Sequence, residues 1–392
     1  MMKQVRLGII GIGNMGTAHA RSILEGKCPE IALAAVTDMS EARRAWAKDN
    51  LPAEVAVFDT VEDMLDSGRI DAALIASPHY LHPVHATACF ARHIHALVEK
   101  PAAVSAARAR AMNEAAQKSG VVFGIMLNQR ANRVYQTMRQ VVKSGELGAI
   151  RRTNWVATNW YRPQAYFDSG AWRGTWSGEG GGVLLNQCPH NLDLWQWICG
   201  MPVRLRAQLG FGKWHDIEVE DDATVVATYE NGATGVFVAS TGDMPGSDRF
   251  EITLDGGKLV AENGQLTLWR LSQTLQTFEK ENTAPFGSPP YERTVLAQED
   301  DSDQHVAVLN AFAGAILRGE PLVARGEEGL LALTLSNAMY LSAWQNREVA
   351  LPLDEAQFEQ ELALRAQTSR PKQKGSDVTA DVRVSYGKQK NQ

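Results

Sequence analysis

Short apolar runs alternate with amphipathic segments from residue 5 to residue 126. This alternation is typical of strands that are joined by crossover helices into a parallel sheet. Several of the runs are continuously apolar, as expected of strands that are covered on both faces. The pattern therefore predicts an α/β unit with strands at residues 5–10, 31–37, 55–58, 72–76, 94–98 and 121–125.

After a predicted linking helix at residues 134–144, apolar residues occur at every second position of several segments. Turn sequences such as Asn231-Gly232 and Asn263-Gly264 supply the positive-φ residues that tight hairpins require. We therefore expect a second, α+β unit that is built on an antiparallel meander and closed by helices at residues 303–318 and 326–344. Its predicted strands are 151–158, 223–229, 233–240, 249–255 and 265–271.

Charge and composition exclude several classes of partner. Lys and Arg total 39 against 45 Asp and Glu, so the net charge of −6 provides no positive field for nucleic acid. No stretch approaches the roughly 18 apolar residues of a membrane span. The four cysteines form neither a CxxC pair nor a disulfide framework, which favours a reducing compartment and predicts a cytoplasmic protein.

A glycine-rich turn lies between the first predicted strand and the following helix. Gly11-Ile12-Gly13-Asn14-Met15-Gly16 fits the GxGxxG pattern. The first glycine permits the turn, the second lets the backbone approach a pyrophosphate, and the third lets helix and strand pack closely. Asp38 ends the second strand, where a carboxylate can accept hydrogen bonds from ribose hydroxyls. Together these features predict a dinucleotide site.

The choice between the two nicotinamide dinucleotides depends on the residues after the second strand. Asp38 favours NAD, because a carboxylate repels the additional phosphate of NADP. Arg43 and Arg44 follow within two helical turns and are able to reach such a phosphate, so NADP stays possible. In the alternative interpretation, both arginines are solvated helix residues.

A candidate catalytic lysine closes the fifth predicted strand. Glu99-Lys100-Pro101 lies at the carboxyl edge of the sheet, where ligands of doubly wound folds bind. Lys100 there can donate to a substrate hydroxyl and stabilise the negative charge as its proton leaves. The alternative is a solvent-exposed lysine without such a role. A cis Lys100–Pro101 bond would aim the ammonium group inward.

A second polar cluster follows Gly180-Gly181-Gly182. Asn186, His190, Asp193 and Trp197 have spacings that place them on one helical face if the helix extends back to Asn186. His190 is able to take a proton near neutral pH, as the oxidation of a secondary alcohol requires. The alternative is a structural histidine that fills the core.

Six of the ten tryptophans lie between residues 155 and 197, interleaved with polar side chains. Flat aromatic walls with a few polar groups suit the apolar faces and hydroxyl edges of sugars. Trp155, Trp195 and Trp197 have spacings typical of core positions, whereas packing alone does not explain the loop around residue 173. The expected substrate contacts in this region are Tyr161, Arg162, Trp172, Arg173 and Trp176. The two arginines are candidates for recognising a carboxylated sugar or a second sugar unit.

Three histidines follow the fourth predicted strand at three-residue steps, namely His79, His82 and His85. A metal site is one interpretation of such a cluster. Neither a carboxylate nor a cysteine joins them, so we expect no metal. His82 is instead expected to support the ribose or the substrate.

These motifs, in this order, resemble the Gfo/Idh/MocA oxidoreductase family. The matching segments are the strand with GxGxxG, Asp38, Ser77-Pro78-His79-Tyr80-Leu81-His82, Glu99-Lys100-Pro101 and the glycine-rich run to His190 and Asp193. The resemblance covers the chain up to Pro352 and implies an α/β fold. It implies an N-terminal Rossmann domain and a C-terminal α+β domain with an open-faced, largely antiparallel sheet. Members mostly act on sugars and cyclitols, often as homodimers or homotetramers.

The resemblance also implies domain boundaries and roles. We expect a Rossmann domain at 1–128, a substrate and oligomerisation domain at 129–352, and a C-terminal helix with a flexible tail at 353–392. Lys100 matches the lysine that contacts the reacting hydroxyl, and His190 matches the general acid/base. Asn186 is the third expected catalytic residue. The expected cofactor contacts are Gly11, Ile12, Gly13, Asn14, Met15, Gly16, Asp38, Ser77, Pro78, His79, His82, Glu99, Lys100 and Asn128.

One position departs from the pattern of the family. The family usually has Asp four residues before the histidine, where this chain has Asn186. An amide can bind a substrate hydroxyl but cannot carry a proton or stabilise an imidazolium by charge. Three explanations are open: His190 works with Lys100 alone, which we favour; Asp193 replaces the charge; or the chemistry is slow or modified.

We therefore predict an NAD(P)-dependent dehydrogenase that acts on a secondary hydroxyl of a sugar, glycoside or cyclitol. The same residues allow a glycosidase, epimerase or lyase with an internal oxidation–reduction cycle, which would release no NADH. A non-enzymatic sugar or nucleotide sensor is the third alternative. The presence of both Lys100 and His190 argues against it, because sites rather than folds decide function.

Overall fold

The computed structural model describes residues 3–370 and residue 372. The sequence predicts a flexible tail at 368–392, and all but residues 368–370 and 372 of it lie outside the described residues. Within the described residues, no helix is both long enough and apolar enough to cross a bilayer.

A six-stranded parallel sheet forms the N-terminal part of the chain, which confirms the predicted fold class. Its strands are β1 (Val5–Ile10), β2 (Ile31–Thr37), β3 (Ala56–Phe58), β4 (Ala72–Ile75), β5 (His95–Val98) and β6 (Phe123–Ile125). They lie in the order β3-β2-β1-β4-β5-β6, and the direction of succession reverses between β1 and β4. The carboxyl ends of strands at such a switch point form the crevice in which this fold class binds ligands.

Helices cover both faces of this sheet, which is why its strands are almost entirely apolar. Those within the first 120 residues are α1 (Asn14–Leu24), α2 (Glu41–Asn50), α3 (Val61–Asp66), α4 (His82–Phe90) and α5 (Ala106–Ser119). The Thr60 side chain caps α3, because it accepts a hydrogen bond from the Asp63 backbone N at 3.0 Å. A helix α6 (Arg133–Ser144) then leads to the second domain.

The second domain is built on a nine-stranded, mostly antiparallel sheet. Its strands are β7 (Ile150–Ala157), β8 (Arg204–Phe211), β9 (Glu220–Thr228), β10 (Thr234–Ser240), β11 (Asp248–Leu254), β12 (Gly257–Glu262), β13 (Gln265–Leu271), β14 (Tyr291–Gln298) and β15 (Val349–Ala350). Their order is β14-β13-β12-β11-β7-β10-β9-β8-β15. The prediction of a simple meander is wrong, because β7 inserts between β10 and β11 and runs parallel to β10.

One face of the nine-stranded sheet is covered and the other is open. Trp155 on β7 stacks on Phe250 at 4.1 Å between ring centroids, and both are buried. On the opposite face of the same sheet, Val156 and Val226 are exposed. The remaining helices of the chain are α7 (Gln164–Asp168), α8 (Pro189–Cys199), α9 (Leu275–Glu281), α10 (Gln304–Arg318), α11 (Gly329–Gln345) and α12 (Glu355–Gln367).

The sequence pattern predicted that helix α10 closes the second domain, and this prediction is wrong. The helix packs on the first sheet instead. Leu309 and Phe312 share a buried cluster with Leu7 and Ile9 of β1. Arg318 pairs with Glu30 next to β2, which fixes the far end of the helix. The chain then returns to the second sheet with β15, so it passes between the two sheets three times. The crevice above β1, β4 and β5 lies beside the second domain.

Candidate active site

The glycine-rich turn connects β1 to α1 and leaves open space beside its second glycine. Gly11 has φ +93°, and a Cβ there would lie 2.7 Å from the Ala76 carbonyl oxygen. A Cβ on Gly16 would collide with the Gly11 carbonyl oxygen. By contrast, no atom lies within 4 Å of the position that a Cβ on Gly13 would take. The turn thus packs tightly on both sides of an open position at the N-terminus of α1, where an anion is favoured.

Asp38 is held beside this turn at the end of β2. Its carboxylate accepts hydrogen bonds from the backbone N of Ile12 at 2.7 Å and of Ser40 at 2.8 Å. Arg43 donates from Nε to the Ile12 carbonyl oxygen at 2.7 Å, and Arg44 donates to the Asp38 carbonyl oxygen at 2.8 Å. Arg43 therefore contacts the turn and Arg44 lies at the end of β2, so neither is simply a solvated helix residue.

Lys100 follows β5 and reaches across to the second domain. The Lys100–Pro101 peptide bond is cis, and the ammonium group donates to the Asn186 carbonyl oxygen at 3.0 Å. Burial, followed in effect by the Arg173 and Arg162 charges, lowers the pKa of Lys100, while Glu99 opposes this change. The structure thus brings Lys100 and Asn186 together from different domains.

Glu99, the residue before Lys100, is a buried carboxylate. It bonds His19 Nε2 at 2.7 Å. Burial alone would raise the pKa of Glu99, but the hydrogen bond and charge of His19, with smaller contributions from His305 and Lys100, lower it to about 2. This carboxylate is therefore ionised and committed to His19 rather than available to the cleft.

His79 and His82 bridge parts of the chain instead of pointing at a shared metal position. The two ring nitrogens of His82 each lie 2.7 Å from a backbone carbonyl oxygen, those of Pro101 and Ser77. His79 Nδ1 lies 3.0 Å from the Glu179 carbonyl oxygen. Among the described residues, no group of three or more metal-ligating side chains occurs. His82 thus supports the loops beside Lys100, and its contact with a cofactor stays a prediction.

A buried glutamate shapes the glycine-rich run that carries Asn186. Glu220 accepts hydrogen bonds from the backbone N of Gly182 at 2.9 Å and of Leu184 at 2.8 Å, and from Tyr340 Oη at 2.8 Å. Burial raises the pKa of Glu220 to about 8, and these donors oppose the shift. These bonds anchor the π-helical turn Val183–Gln187, which ends before α8 begins at Pro189. The continuous helix back to Asn186 that the sequence suggested is therefore wrong.

His190 lies in the first turn of α8 and has an exposed fraction of 2%. Neither ring nitrogen has a hydrogen-bond partner among the described residues. Burial, followed by the charge of Lys100, lowers the pKa of His190 to about 3. Buried polar atoms are normally paired, so an orphaned imidazole next to Lys100 indicates a position that a bound molecule completes. Asn128 Oδ1 is a second such atom.

Asp193 does not replace the missing carboxylate next to His190. Its two oxygens accept hydrogen bonds from Nε and Nη2 of Arg130 at 2.8 and 2.7 Å, and both residues are buried. Arg130 also bonds Glu328 at 2.7 Å. This explanation of the Asn186 departure is therefore excluded by geometry, because the Asp193 charge is neutralised by a bidentate pair.

The predicted substrate contacts do not all lie together. Arg173 stacks over Tyr166 and Trp172 and donates to Tyr166 Oη at 2.6 Å, and Arg162 lies over Tyr166 at 5.2 Å from the ring centroid. Tyr161 is 43% exposed. Trp176 was expected to contact substrate and is corrected here to a core residue, because it is buried against Phe211, Tyr340 and Trp344.

Glu179 and Tyr166 are among the polar residues interleaved with the tryptophans, but they were not among the expected site residues. Tyr166 Oη is within 3.2 Å of Asn186 Nδ2 and of Gln187 Nε2. Glu179 is buried and accepts a hydrogen bond from Asn186 Nδ2. The sequence signal was an acidic residue within an otherwise glycine-rich run, which packing alone does not require.

The arrangement has the parts of a two-domain, nucleotide-dependent enzyme, and comparisons with known proteins agree. Residues 5–127 match an oxidoreductase family with an NAD-binding Rossmann fold, and residues 135–260 match the GFO/IDH/MocA C-terminal domain. The chain therefore belongs to the Gfo/Idh/MocA oxidoreductase family, and its N-terminal domain is an NAD-binding Rossmann domain.

Three similar proteins illustrate this membership. Myo-inositol 2-dehydrogenase of Thermotoga maritima is 26% identical over 88% of this chain and 98% of its own length. The structure of the WlbA dehydrogenase from Chromobacterium violaceum, in complex with NADH and UDP-GlcNAcA, has 26% identity and a TM-score of 0.77 over 90% of this chain and 98% of that chain. Levoglucosan dehydrogenase, in complex with NADH and L-sorbose, shares the fold at 19% identity and a TM-score of 0.72 over 90% of this chain and 100% of its own.

Proposed function

We propose that this oxidoreductase transfers a hydride between NAD and a secondary hydroxyl of a sugar, glycoside or cyclitol at the cleft between Lys100 and His190. The unpartnered His190 ring carries the proposal, because a buried imidazole without partners is suited to a molecule that binds there. The similarity to a myo-inositol 2-dehydrogenase and to a dehydrogenase solved with NADH and UDP-GlcNAcA supports the substrate class.

The residues of the turn fit a dinucleotide. Gly11, Gly13 and Gly16 would hold the pyrophosphate at the N-terminus of α1, with open space beside Gly13, and Asp38 would accept from the adenosine ribose. The bound nicotinamide supplies a hydride acceptor or donor. NADP stays possible because Arg43 contacts the turn and Arg44 lies at the end of β2.

Lys100 and His190 divide the work at the reacting hydroxyl. In the oxidation, the Lys100 ammonium donates to the hydroxyl oxygen and stabilises the negative charge that develops there. His190 is neutral at physiological pH, since its pKa is about 3, and takes the hydroxyl proton. The carbon loses the hydride with its electron pair, so the substrate becomes a ketone; the reduction runs through the same positions.

The test is absorbance of the reduced nicotinamide with NAD or NADP and a panel of sugars, glycosides and inositols. The native protein should produce reduced cofactor with at least one member of the panel. Lys100→Ala should lower kcat at least about 100-fold on that substrate. The matched control is Lys118→Ala, an exposed lysine at the end of α5. Equal rates for the native protein and Lys100→Ala would contradict the proposed role of the lysine.

An anionic substituent on the substrate follows from the charges around the cleft. The positive charges of Arg162 and Arg173 act on Lys100, against the buried carboxylates of Glu99 and Glu179. Arg173 is the better candidate for the contact, because Arg162 is buried and donates to backbone carbonyl oxygens of Trp160 and Tyr161.

Arg173→Ala is therefore expected to raise KM for an acidic sugar about tenfold, the loss of roughly one charge-assisted hydrogen bond. A neutral sugar that is turned over by the same enzyme is the control, and its KM should change far less. If neither Arg173→Ala nor Arg162→Ala alters the affinity for the acidic sugar, recognition of an anionic group by these arginines is wrong.

Two further properties belong to this proposal. We propose a homodimer or homotetramer that forms through the open face of the nine-stranded sheet, which exposes Val156 and Val226. We also propose a cytoplasmic location, which the four free cysteines support.

A further inference from the structure

Glu179 is a buried carboxylate for which the mechanism above has no use. It has an exposed fraction of 1%. One oxygen accepts from the backbone N of Gly174 at 2.6 Å, and the other accepts from Asn186 Nδ2. Burial raises the pKa of Glu179, and the Arg173 charge and these donors oppose that change. A carboxylate is costly to bury. Glu179 contacts Asn186, which in turn contacts Lys100, so its position calls for an explanation.

The amide of Asn186 is oriented by this carboxylate. Both hydrogen bonds that the described residues make to the Asn186 side chain use Nδ2, with Glu179 and with Tyr166 Oη at 3.2 Å. An ionised carboxylate only accepts hydrogen bonds, so the amide must turn its NH₂ group toward Glu179. Oδ1 is thereby left as an acceptor for a substrate hydroxyl.

The same carboxylate acts on the charge of Lys100. The other nearby acids are already committed: Glu99 bonds His19, and Asp193 pairs with Arg130. Arg162 and Arg173 oppose a positive charge on Lys100, whereas Glu99 favours it most and Glu179 adds to its effect. The titratable and charged groups that face Lys100 are Glu99, Glu179, Arg162, Arg173, His79, His82, His190, His305 and Cys188.

We propose that Glu179 is a positioning residue that restores, from seven residues upstream, the negative charge that Asn186 lacks. It holds the Asn186 amide with Oδ1 toward the substrate and, together with Glu99, favours the charged form of the Lys100 ammonium. The inference rests on the proposed function, because it assigns Glu179 to the same reaction. It also predicts a property of Lys100 that is measurable without any substrate.

The first measurement is therefore made without substrate. Acetylation of Lys100 by trace acetic anhydride is followed by mass spectrometry over a pH series, which gives the pH midpoint of the lysine. Glu179→Gln should move this midpoint down by about half a pH unit, because one of the two carboxylate charges that favour the ammonium is gone. Lys118, exposed on α5, is the control in the same samples and should keep its midpoint. An unchanged Lys100 midpoint would overturn the proposal.

The second measurement moves the carboxylate from position 179 to position 186. On the substrate found in the panel, Glu179→Gln should lower kcat about tenfold or more and move its pH profile, with little change in melting temperature. The double variant Glu179→Gln/Asn186→Asp restores one carboxylate and one amide, and should recover kcat to within about threefold of native. Asn186→Asp alone places two carboxylates in contact and should not improve kcat.

The outcomes separate the two proposals. If the Lys100 midpoint moves but no substrate is turned over, the role of Glu179 holds and the proposed reaction fails. If the native enzyme is active and Glu179→Gln changes neither the Lys100 midpoint nor kcat, the proposed reaction holds and Glu179 is merely structural. Should Glu179→Gln not fold, Glu179→Asp and the double variant keep the carboxylate and must retain the native Lys100 midpoint.

Discussion

At the scale of single residues, the cleft is dominated by side chains whose ionisation depends on burial. His190 is the clearest example, because its folded-state pKa is about 3, whereas an exposed histidine titrates near 6.5. When the pKa of a group is lower in the folded state than in the unfolded state, the unfolded state binds its proton first as the pH falls. The resulting stability is present above the unfolded-state pKa and is lost below it. The relevant window for His190 is therefore from about pH 6.5 down to about pH 3.

Replacing His190 should remove part of the acid sensitivity of the fold. Between pH 7 and pH 5 the unfolded state takes up a proton at this position and the folded state does not, a difference of about 2 kcal/mol. His190→Gln should therefore lose about 2 kcal/mol less stability than the native protein over this range. Urea unfolding at the two pH values measures it.

His93→Asn is the control for this experiment, because His93 is exposed and has a φ of 55° that asparagine tolerates. It should show the native pH dependence. An identical loss of stability in His190→Gln and in the native protein would mean that His190 is protonated in the folded state.

Individual residues were predicted from the sequence where a local motif fixes their place. Lys100 and His190 follow a strand end and a helix start, and the structure brings them to one cleft. The different contacts of Asp193 and Glu179 could not be predicted from a local motif. The charge of Asp193 is cancelled by Arg130, which is 63 residues away in sequence, and Glu179 meets Asn186 through an irregular loop. Helical spacing describes neither contact.

At the scale of elements, the turn between β1 and α1 combines a tight backbone with one open position. The difference between Gly13 and Gly16 follows from their surroundings, since a Cβ on Gly16 meets the Gly11 carbonyl oxygen and one on Gly13 meets nothing within 4 Å. The two glycines should therefore respond differently to the same substitution.

Gly13→Ala is expected to fold normally and to lose cofactor. Its melting temperature without ligand should lie within about 2 °C of native, while the affinity for NADH should fall at least about tenfold, because the methyl group takes the space that the pyrophosphate needs. Calorimetric titration with NADH and thermal unfolding measure the two effects. Gly16→Ala is the comparison and should lower the melting temperature itself. Native NADH affinity in Gly13→Ala would mean that the pyrophosphate binds elsewhere.

The elements themselves were predicted best where the pattern is local and repeated. Strands β1, β2 and β13 have the predicted bounds, and the two predicted Asn-Gly turns do join adjacent antiparallel strands. The prediction missed four strands, namely β8, β12, β14 and β15. Strand β14 is exposed along most of its length and so lacks the alternation of a half-buried strand, and β15 has only two residues. The insertion of β7 beside β10 depends on pairing between distant segments, which periodicity does not encode.

At the scale of the whole molecule, the cleft depends on how the chain passes between its two sheets. Helix α10 packs on β1 rather than on the second sheet, and Arg130, just after β6, is paired with Asp193 of α8. These contacts hold the carboxyl edge of the parallel sheet against the glycine-rich run of the second domain. The site therefore exists only in the assembled pair of domains, as a binding site between domains requires.

The central claim is direct hydride transfer at this cleft, and isotope transfer measures it. A substrate from the panel is labelled with deuterium at the carbon that bears the reacting hydroxyl, and the reduced cofactor is analysed by mass spectrometry. The native protein should place one deuterium in each reduced nicotinamide that it forms, and His190→Gln should form the labelled nicotinamide much more slowly. Reduced cofactor without deuterium, or turnover of the substrate with no deuterium on the nicotinamide, would contradict the central claim.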